Sequence, residues 1–329
     1  MCGTESEIRT GRSKAQVMKS ALDLIVYWAA LPLICLLSLL PVRWAVFLGK
    51  HAGRIAYEFD RRHRLIALRN LEIGFPESPH AWREGVARRC FENFGKTIFE
   101  LPSLLHTPSE RILQRVRFQG WEYYLEALKK DRGVLILTGH IGNWELMALS
   151  HGLQGHRLYF VARPLDNPYV NDWINRLRMR AGNRIISKRG ALRGIYTALR
   201  RGETVGLLMD QAVTGHDGVF VDFFGHSAGS SIAMAVFACR YGVPVLPVYI
   251  VREEGDISHR VVIESPVSVT LSGNKQQDIL ENTQRFQHVL EDIIRRHPEQ
   301  WFWMHRRWKK SPSLGKGREG YPVKGRVGV

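Results

Sequence analysis

At 329 residues the chain is longer than a single core requires, and one α/β catalytic domain with helical appendages accounts for that length. An apolar fraction of 45% and a charged fraction of 24% exclude general disorder and a polytopic membrane protein, while a net charge of +16 favours acidic partners: anionic lipid, an acidic protein or nucleic acid. Cys2, Cys35, Cys90 and Cys239 lie too far apart for a CxxC clip and too sparsely for a disulfide framework, which points to a reducing compartment and no structural zinc.

A polar tail over residues 1–20 leads into Leu24 to Leu40, an uncharged run of Leu, Ile, Val and aromatics extendable to Val42. Its length is at the lower limit for crossing a hydrocarbon core, and Pro32 would kink it, so the reading is a retained membrane anchor over residues 21–42 that either spans the bilayer or lies in its interface. No small-residue cleavage pattern follows it. Basic residues after the segment (Arg43, Lys50, Arg54, Arg61, Arg62, Arg64, Arg69) outnumber those before it (Arg9, Arg12, Lys14, Lys19), which predicts a cytoplasmic main domain. From Leu65 to Leu128 the apolar spacing is helical, as in Trp82, Val86, Cys90, Phe94 and Ile98, with a stop at Phe75-Pro76-Glu77.

Short apolar runs then alternate with helical ones. Strands are expected at Val134–Leu137, Leu158–Val161, Arg184–Ser187, Thr204–Met209, Val219–Phe223, Val243–Val251 and Val261–Glu264. Helices are expected at Trp144–Leu153, Val170–Arg180, Leu192–Arg201, Ile232–Tyr241 and Asp278–Arg296. That alternation predicts an α/β fold with a largely parallel central sheet flanked by helices, whose ligands collect beyond the carboxyl ends of the strands. The domain is expected to run from residue 43 to 310, followed by a basic, disordered tail from 311 to 329.

The strand Val134–Leu137 ends at Thr138-Gly139, so His140 falls where a buried strand opens into a loop. On one continuous helix His140 and Glu145 would lie on different faces, and the pair can meet only if His140 precedes the helix. Gly142 and Asn143 supply the turn and an N-cap, placing Glu145 in the first helical turn. Glu145 is then expected to hold one imidazole nitrogen while the other takes a proton from an attacking hydroxyl. The alternative is a capping or core histidine. Asp210 and Gln211 close the strand Thr204–Met209 and reach the same sheet edge if the two strands are parallel neighbours, which makes them candidate substrate-binding residues; a carboxylate capping the next turn is the alternative. No G-x-S-x-G elbow, H-E-x-x-H helix or G-x-x-x-x-G-K-[ST] loop occurs. A single-step attack by the substrate hydroxyl remains.

Between Arg176 and Arg201 there are nine Lys or Arg residues and no acidic one, an asymmetry suited to gripping phosphates or docking an acidic protein, and equally to a solvated face beside anionic membrane. Arg176 opens this run as a candidate substrate contact. Trp301, Trp303 and Trp308, interleaved with Arg306, Arg307, Lys309 and Lys310, read as a membrane-interface belt, with packing as the alternative.

The His140-x-x-x-x-Glu145 spacing resembles the lysophospholipid acyltransferase superfamily. Three further stretches narrow the resemblance to its lipid A acyltransferase branch: Arg163-Pro164 with Asn167-Pro168; Met209-Asp210-Gln211 leading to Gly218-Val219-Phe220-Val221-Asp222-Phe223-Phe224-Gly225; and Pro298 to Trp308. Upstream, Arg61-Arg62-His63-Arg64, Asn70-Leu71-Glu72 and Phe75-Pro76-Glu77 extend it to cover about residues 20–310. The resemblance implies an O-acyltransferase taking a fatty acyl chain from an acyl carrier protein thioester, or from acyl-CoA, to a hydroxyl of a lipid A precursor at the cytoplasmic face of the inner membrane. His140 would be the general base, Glu145 its orienting partner and Arg163 a substrate-binding residue, with no cofactor and no metal. Asp222 and Phe223-Phe224-Gly225 are expected to shape a substrate-facing loop. Gly142-Asn143-Trp144-Glu145 looks as much like relatives that acylate mannosylated phosphatidylinositol, so the acceptor is either of these anionic glycolipids or a lysophospholipid. A non-catalytic membrane protein binding anionic lipid is the competing class. Nucleic-acid binding is not expected, since no motif for it occurs.

Overall fold

A computed structural model describes residues 14–255, 257–309 and 311. Four helices come first: α1 (Lys14–Leu39), α2 (Val42–Phe59), α3 (Arg61–Gly74) and α4 (His80–Leu104). The expected stop at Phe75-Pro76-Glu77 separates α3 from α4. After the short helix α5 (Ser109–Leu113), strand β1 (Val116–Gln119) and helix α6 (Trp121–Leu128) open the α/β part. It continues through β2 (Val134–Thr138), α7 (Trp144–Leu153), β3 (Leu158–Ala162), α8 (Pro168–Met179), β4 (Arg184–Ser187), α9 (Ala191–Leu199) and β5 (Thr204–Leu208). A hairpin of β6 (Gly218–Phe223) and β7 (His226–Ser231) follows, then α10 (Ala233–Tyr241), β8 (Val245–Arg252), β9 (His259–Ile263) and α11 (Lys275–Arg296).

Seven strands form one sheet in the order β1-β9-β8-β2-β5-β3-β4, and every neighbouring pair is parallel except β8 with β9. The continuous apolar sequence of β2 is explained by its position between β8 and β5, where all five of its residues are buried. The short polar strand β1 and the small-residue strand β7 lacked the apolar pattern that marks a strand in sequence. The hairpin β6–β7 stands apart from the main sheet and packs on α11.

Two expectations are corrected. The segment Trp301 to Trp308 is not a membrane belt but follows the packing alternative: Trp301, Trp303, Trp308 and Arg307 are all buried. The indoles pack against Phe223 and Phe224, and Arg307 donates to Gly229 O and Gln287 Oε1. A guanidinium whose donors meet fixed acceptors can be buried, and the flanking cations gave no warning of that. The same contacts turn Phe223 and Phe224 inward, away from the substrate-facing role expected of them. The residues of the N-terminal tail up to position 13, Cys2 among them, and the basic tail from 312 lie outside the described residues.

No helix among the described residues is long and apolar enough to cross a membrane. α1 packs on α4 and α8, with the Tyr27 ring 5.3 Å from that of Tyr169. Ile25, Trp28, Leu33, Leu36 and Leu39 of α1 are exposed, as are Trp44, Phe47, Ile55 and Phe59 of α2.

Candidate active site

β2 and β5 are parallel neighbours in a register that sets Thr138 opposite Leu208, so the chain leaves both strands side by side. His140 and Asp210, each two residues past that pair, are thereby brought face to face. Asp210 Oδ1 accepts from His140 Nδ1 at 2.9 Å, and Asp210 Oδ2 accepts from the His140 backbone N at 2.7 Å and from Trp301 Nε1 at 2.9 Å. A carboxylate only accepts, so this geometry puts the imidazole proton on Nδ1 and the lone pair on Nε2. Gln211 Nε2 donates to that Nε2 at 3.3 Å.

Asp210 is 3% exposed, yet three donors converge on it. Burial alone would raise its pKa, but His140 and these hydrogen bonds outweigh burial and hold the carboxyl well below the usual carboxylate range. Burial opposes the imidazolium in the same way, and Asp210 overcomes it, so the His140 pKa is raised above the ordinary 6.5.

The loop bearing His140 is fixed from several sides. A Cβ at Gly139 would sit 3.1 Å from Asp210 Cγ, and one at Gly142 would lie 2.2 Å from Ile250 O in a backbone with φ of 58°. Glycine is therefore required at position 142, while a side chain at position 139 would press on Asp210. Phe302 N donates to His140 O and Gly142 N to Gln300 O, which ties the C-terminal segment to the loop. Asn143 caps α7, accepting from Leu146 N, and its amide donates to Glu100 Oε2. Glu100 is fully buried and also receives Arg252 at 2.7 Å and Arg115. Burial works against its charge, and Arg252, His259 and Arg115 outweigh that to hold the carboxyl down at about 2. Glu100 went unread in the sequence because nothing local distinguishes a charge in mid-helix that ends up enclosed.

Glu145 lies in the first turn of α7, as expected, but it is not the partner of His140 Nδ1. Its carboxylate is gripped by Arg178 on α8, with Nε to Oε2 at 2.9 Å and Nη2 to Oε1 at 2.5 Å. The reason is topological: the adjoining strand end delivers Asp210 to the imidazole, whereas the start of α7 presents Glu145 toward α8. Arg178 was passed over for Arg176, two residues earlier. The available signal was its position beside the buried Leu177 and one turn after the buried Ile174. Arg176 is exposed. Arg163 is exposed too and pairs with Asp166 at 2.9 Å, so the structure does not join it to the His140 group. Trp144 and Phe302 wall the imidazole, with ring centroids 4.9 and 6.4 Å from it, and Phe94 stands behind Phe302 at 4.9 Å. The arrangement offers a backed histidine base facing an aromatic wall.

Comparison with known proteins gives the family of the chain. The chain is 28% identical over 287 residues to the lipid A biosynthesis lauroyltransferase of Escherichia coli (strain K12), covering 87% of this chain and 92% of that one. It is 29% identical over 287 residues to the palmitoleoyltransferase of the same organism, covering 87% and 91%, and 26% identical over 260 residues to its myristoyltransferase, covering 78% and 77%. The model of the bacterial lipid A biosynthesis acyltransferase family matches residues 14–310, and the chain belongs to that family.

Proposed function

We propose that this protein moves a fatty acyl chain from an acyl carrier protein thioester to a hydroxyl of a lipid A precursor. The observation that carries the reading is the hydrogen bond from His140 Nδ1 to Asp210, which leaves the lone pair on Nε2, where an acceptor hydroxyl would replace the Gln211 amide. His140 takes the hydroxyl proton as the oxygen attacks the thioester carbonyl carbon. The tetrahedral intermediate collapses with cleavage of the C–S bond, and the imidazolium returns the proton to the departing thiolate. Asp210 keeps the imidazole in the required tautomer and balances its charge. Glu145 acts at one remove, by holding Arg178 beside the base. Trp144 and Phe302 give the thioester end of the acyl chain an apolar wall.

Incubating the purified chain with a lipid A precursor and either an acyl carrier protein thioester or the matching CoA thioester tests this directly. Mass spectrometry should show one added acyl group, formed faster from the carrier protein; no acylated product from either donor refutes the reading. A CoA preference would leave acyl transfer standing and remove the carrier protein.

Arg163 and Arg176 are proposed to grip anionic groups of the acceptor, which their exposure permits. Arg163→Ala should lower kcat/KM roughly tenfold to a hundredfold, the equivalent of about 1.5–3 kcal/mol for a charge-assisted hydrogen bond. Arg163→Lys should recover only part of this, because lysine keeps the charge and loses the planar fork. Wild-type kinetics for Arg163→Lys with both substrates would end the assignment.

The exposed apolar face of α1 and α2 is proposed to seat the enzyme in the interface of the inner membrane, with Arg43 and Arg54 toward anionic headgroups. Deleting residues 1–42 should release most of the protein from vesicles of anionic phospholipid, and high salt should release the remainder. Equal sedimentation of the full and shortened chains at both low and high salt would show that the seat lies elsewhere.

A further inference from the structure

Away from His140, where α11 packs on the hairpin β6–β7, we infer a divalent transition-metal site formed by Asp222, His288 and Glu291. One ligand atom from each of these side chains lies within 4.8 Å of the other two. His288 and Glu291 are three residues apart on α11 and so share a face of that helix, and Asp222 approaches them from β6. The spacing matches no metal-binding sequence motif, because the third donor arrives from another element.

Two further observations point to a cation rather than to a chance gathering of surface charge. Glu291 is only 8% exposed, and its Oε1 is buried without a hydrogen-bond partner. A buried carboxyl oxygen with no donor beside it has an acceptor position that a cation can fill. The nearest guanidinium, Arg295, reaches only the other oxygen, and at 4.0 Å; it lies over the Phe224 ring instead. Second, Asp222 and His288 line a solvent-open cavity of about 690 Å³, which gives an ion a path in. The surroundings also steady Asp222, whose backbone O accepts from Gln284 Nε2 and whose Oδ1 accepts from Gly225 N; Gln284 Nε2 also donates to His288 Nε2, a contact that an ion bound there would displace.

One imidazole with two carboxylates suits Zn²⁺, Mn²⁺ or Co²⁺ better than Mg²⁺, which takes oxygen ligands and keeps its waters. Tetrahedral bonds of roughly 2.0–2.1 Å set ligand atoms about 3.3 Å apart, so separations of up to 4.8 Å must close by as much as about 1.5 Å. The exposed side chains of Asp222 and His288 have room to do so. The bound ion would pin α11 to the hairpin beside the turn at Phe224 and Gly225, acting as a staple rather than in acyl transfer.

The test uses the full chain, stripped with a chelator and titrated with Zn²⁺, Mn²⁺ and Mg²⁺ separately. Competition against a chromogenic chelator reports affinity, and thermal unfolding reports stabilisation. One equivalent of Zn²⁺ should bind and raise the unfolding midpoint, with Mg²⁺ without effect. His288→Ala should weaken Zn²⁺ by at least about a hundredfold, more than the loss of an outer-shell partner costs. Glu291→Gln, nearly isosteric, should do likewise while leaving the metal-free midpoint within a few degrees of wild type. Co²⁺ absorption bands of the unmodified chain supply a readout needing no variant. No stoichiometric Zn²⁺ binding by the unmodified chain, or equal binding by both variants, overturns the site.

Discussion

Replacing His140 with alanine should abolish acyl transfer while leaving the protein folded. The imidazole side chain is 16% exposed, and the rings it touches, Trp144 and Phe302, are themselves only partly buried. Its removal takes away the proton acceptor, an effect of roughly 10²- to 10⁴-fold on kcat. It also leaves Asp210 with the His140 backbone N–H and Trp301 as donors, so the buried carboxylate is not orphaned. Circular dichroism and the unfolding midpoint should therefore stay near wild type while product formation falls below detection in a single-turnover assay. A folded variant that still turns over at more than a tenth of the wild-type rate would show that His140 is a capping group and that the base lies elsewhere.

Much of the architecture was legible because period and burial agree. β2 and β8, enclosed by neighbouring strands, read as unbroken apolar runs, and α7 begins and ends at the residues that its cap and apolar pattern indicate. The position of His140 at a strand end could be read for the same reason. What sequence could not supply was the partner of its Nδ1. Separation along the chain favours Glu145, whereas the partner is fixed by which strand lies next to β2, and that follows from the whole order of the sheet. Asp210 had been placed on the correct edge, but as a substrate contact. The same limit hid the buried fate of Arg307 and of the three C-terminal indoles. A Trp-Arg-rich run looks alike at a bilayer and in a core, and only the acceptors on β7 and α11 decide between them.

The geometry also separates Asp210 from Glu145 in a way that kinetics can read. Asp210→Asn should lower kcat by roughly 10²- to 10⁴-fold, because an amide can donate to Nδ1 and so leave the proton on Nε2, the tautomer that cannot act as a base. Glu145→Gln should cost less, since Glu145 bonds to Arg178 and affects the imidazole only through its field. The pH profile makes the distinction independent of magnitude. The base must be neutral to work, so wild-type kcat/KM should fall on the acid side as pH drops through the raised His140 pKa, above the ordinary 6.5. In Asp210→Asn the attraction and hydrogen bond that raise it are gone while burial, which lowers it, persists. Its residual activity should therefore have an acid limb displaced to lower pH. In Glu145→Gln a smaller raising contribution is lost while Arg178, which lowers the His140 pKa, stays, so the limb should shift in the same direction but less. If Glu145→Gln instead moves the acid limb further than Asp210→Asn, the assignment of Asp210 as the positioning residue for His140 is wrong, and Glu145 must reach the imidazole when substrate is bound.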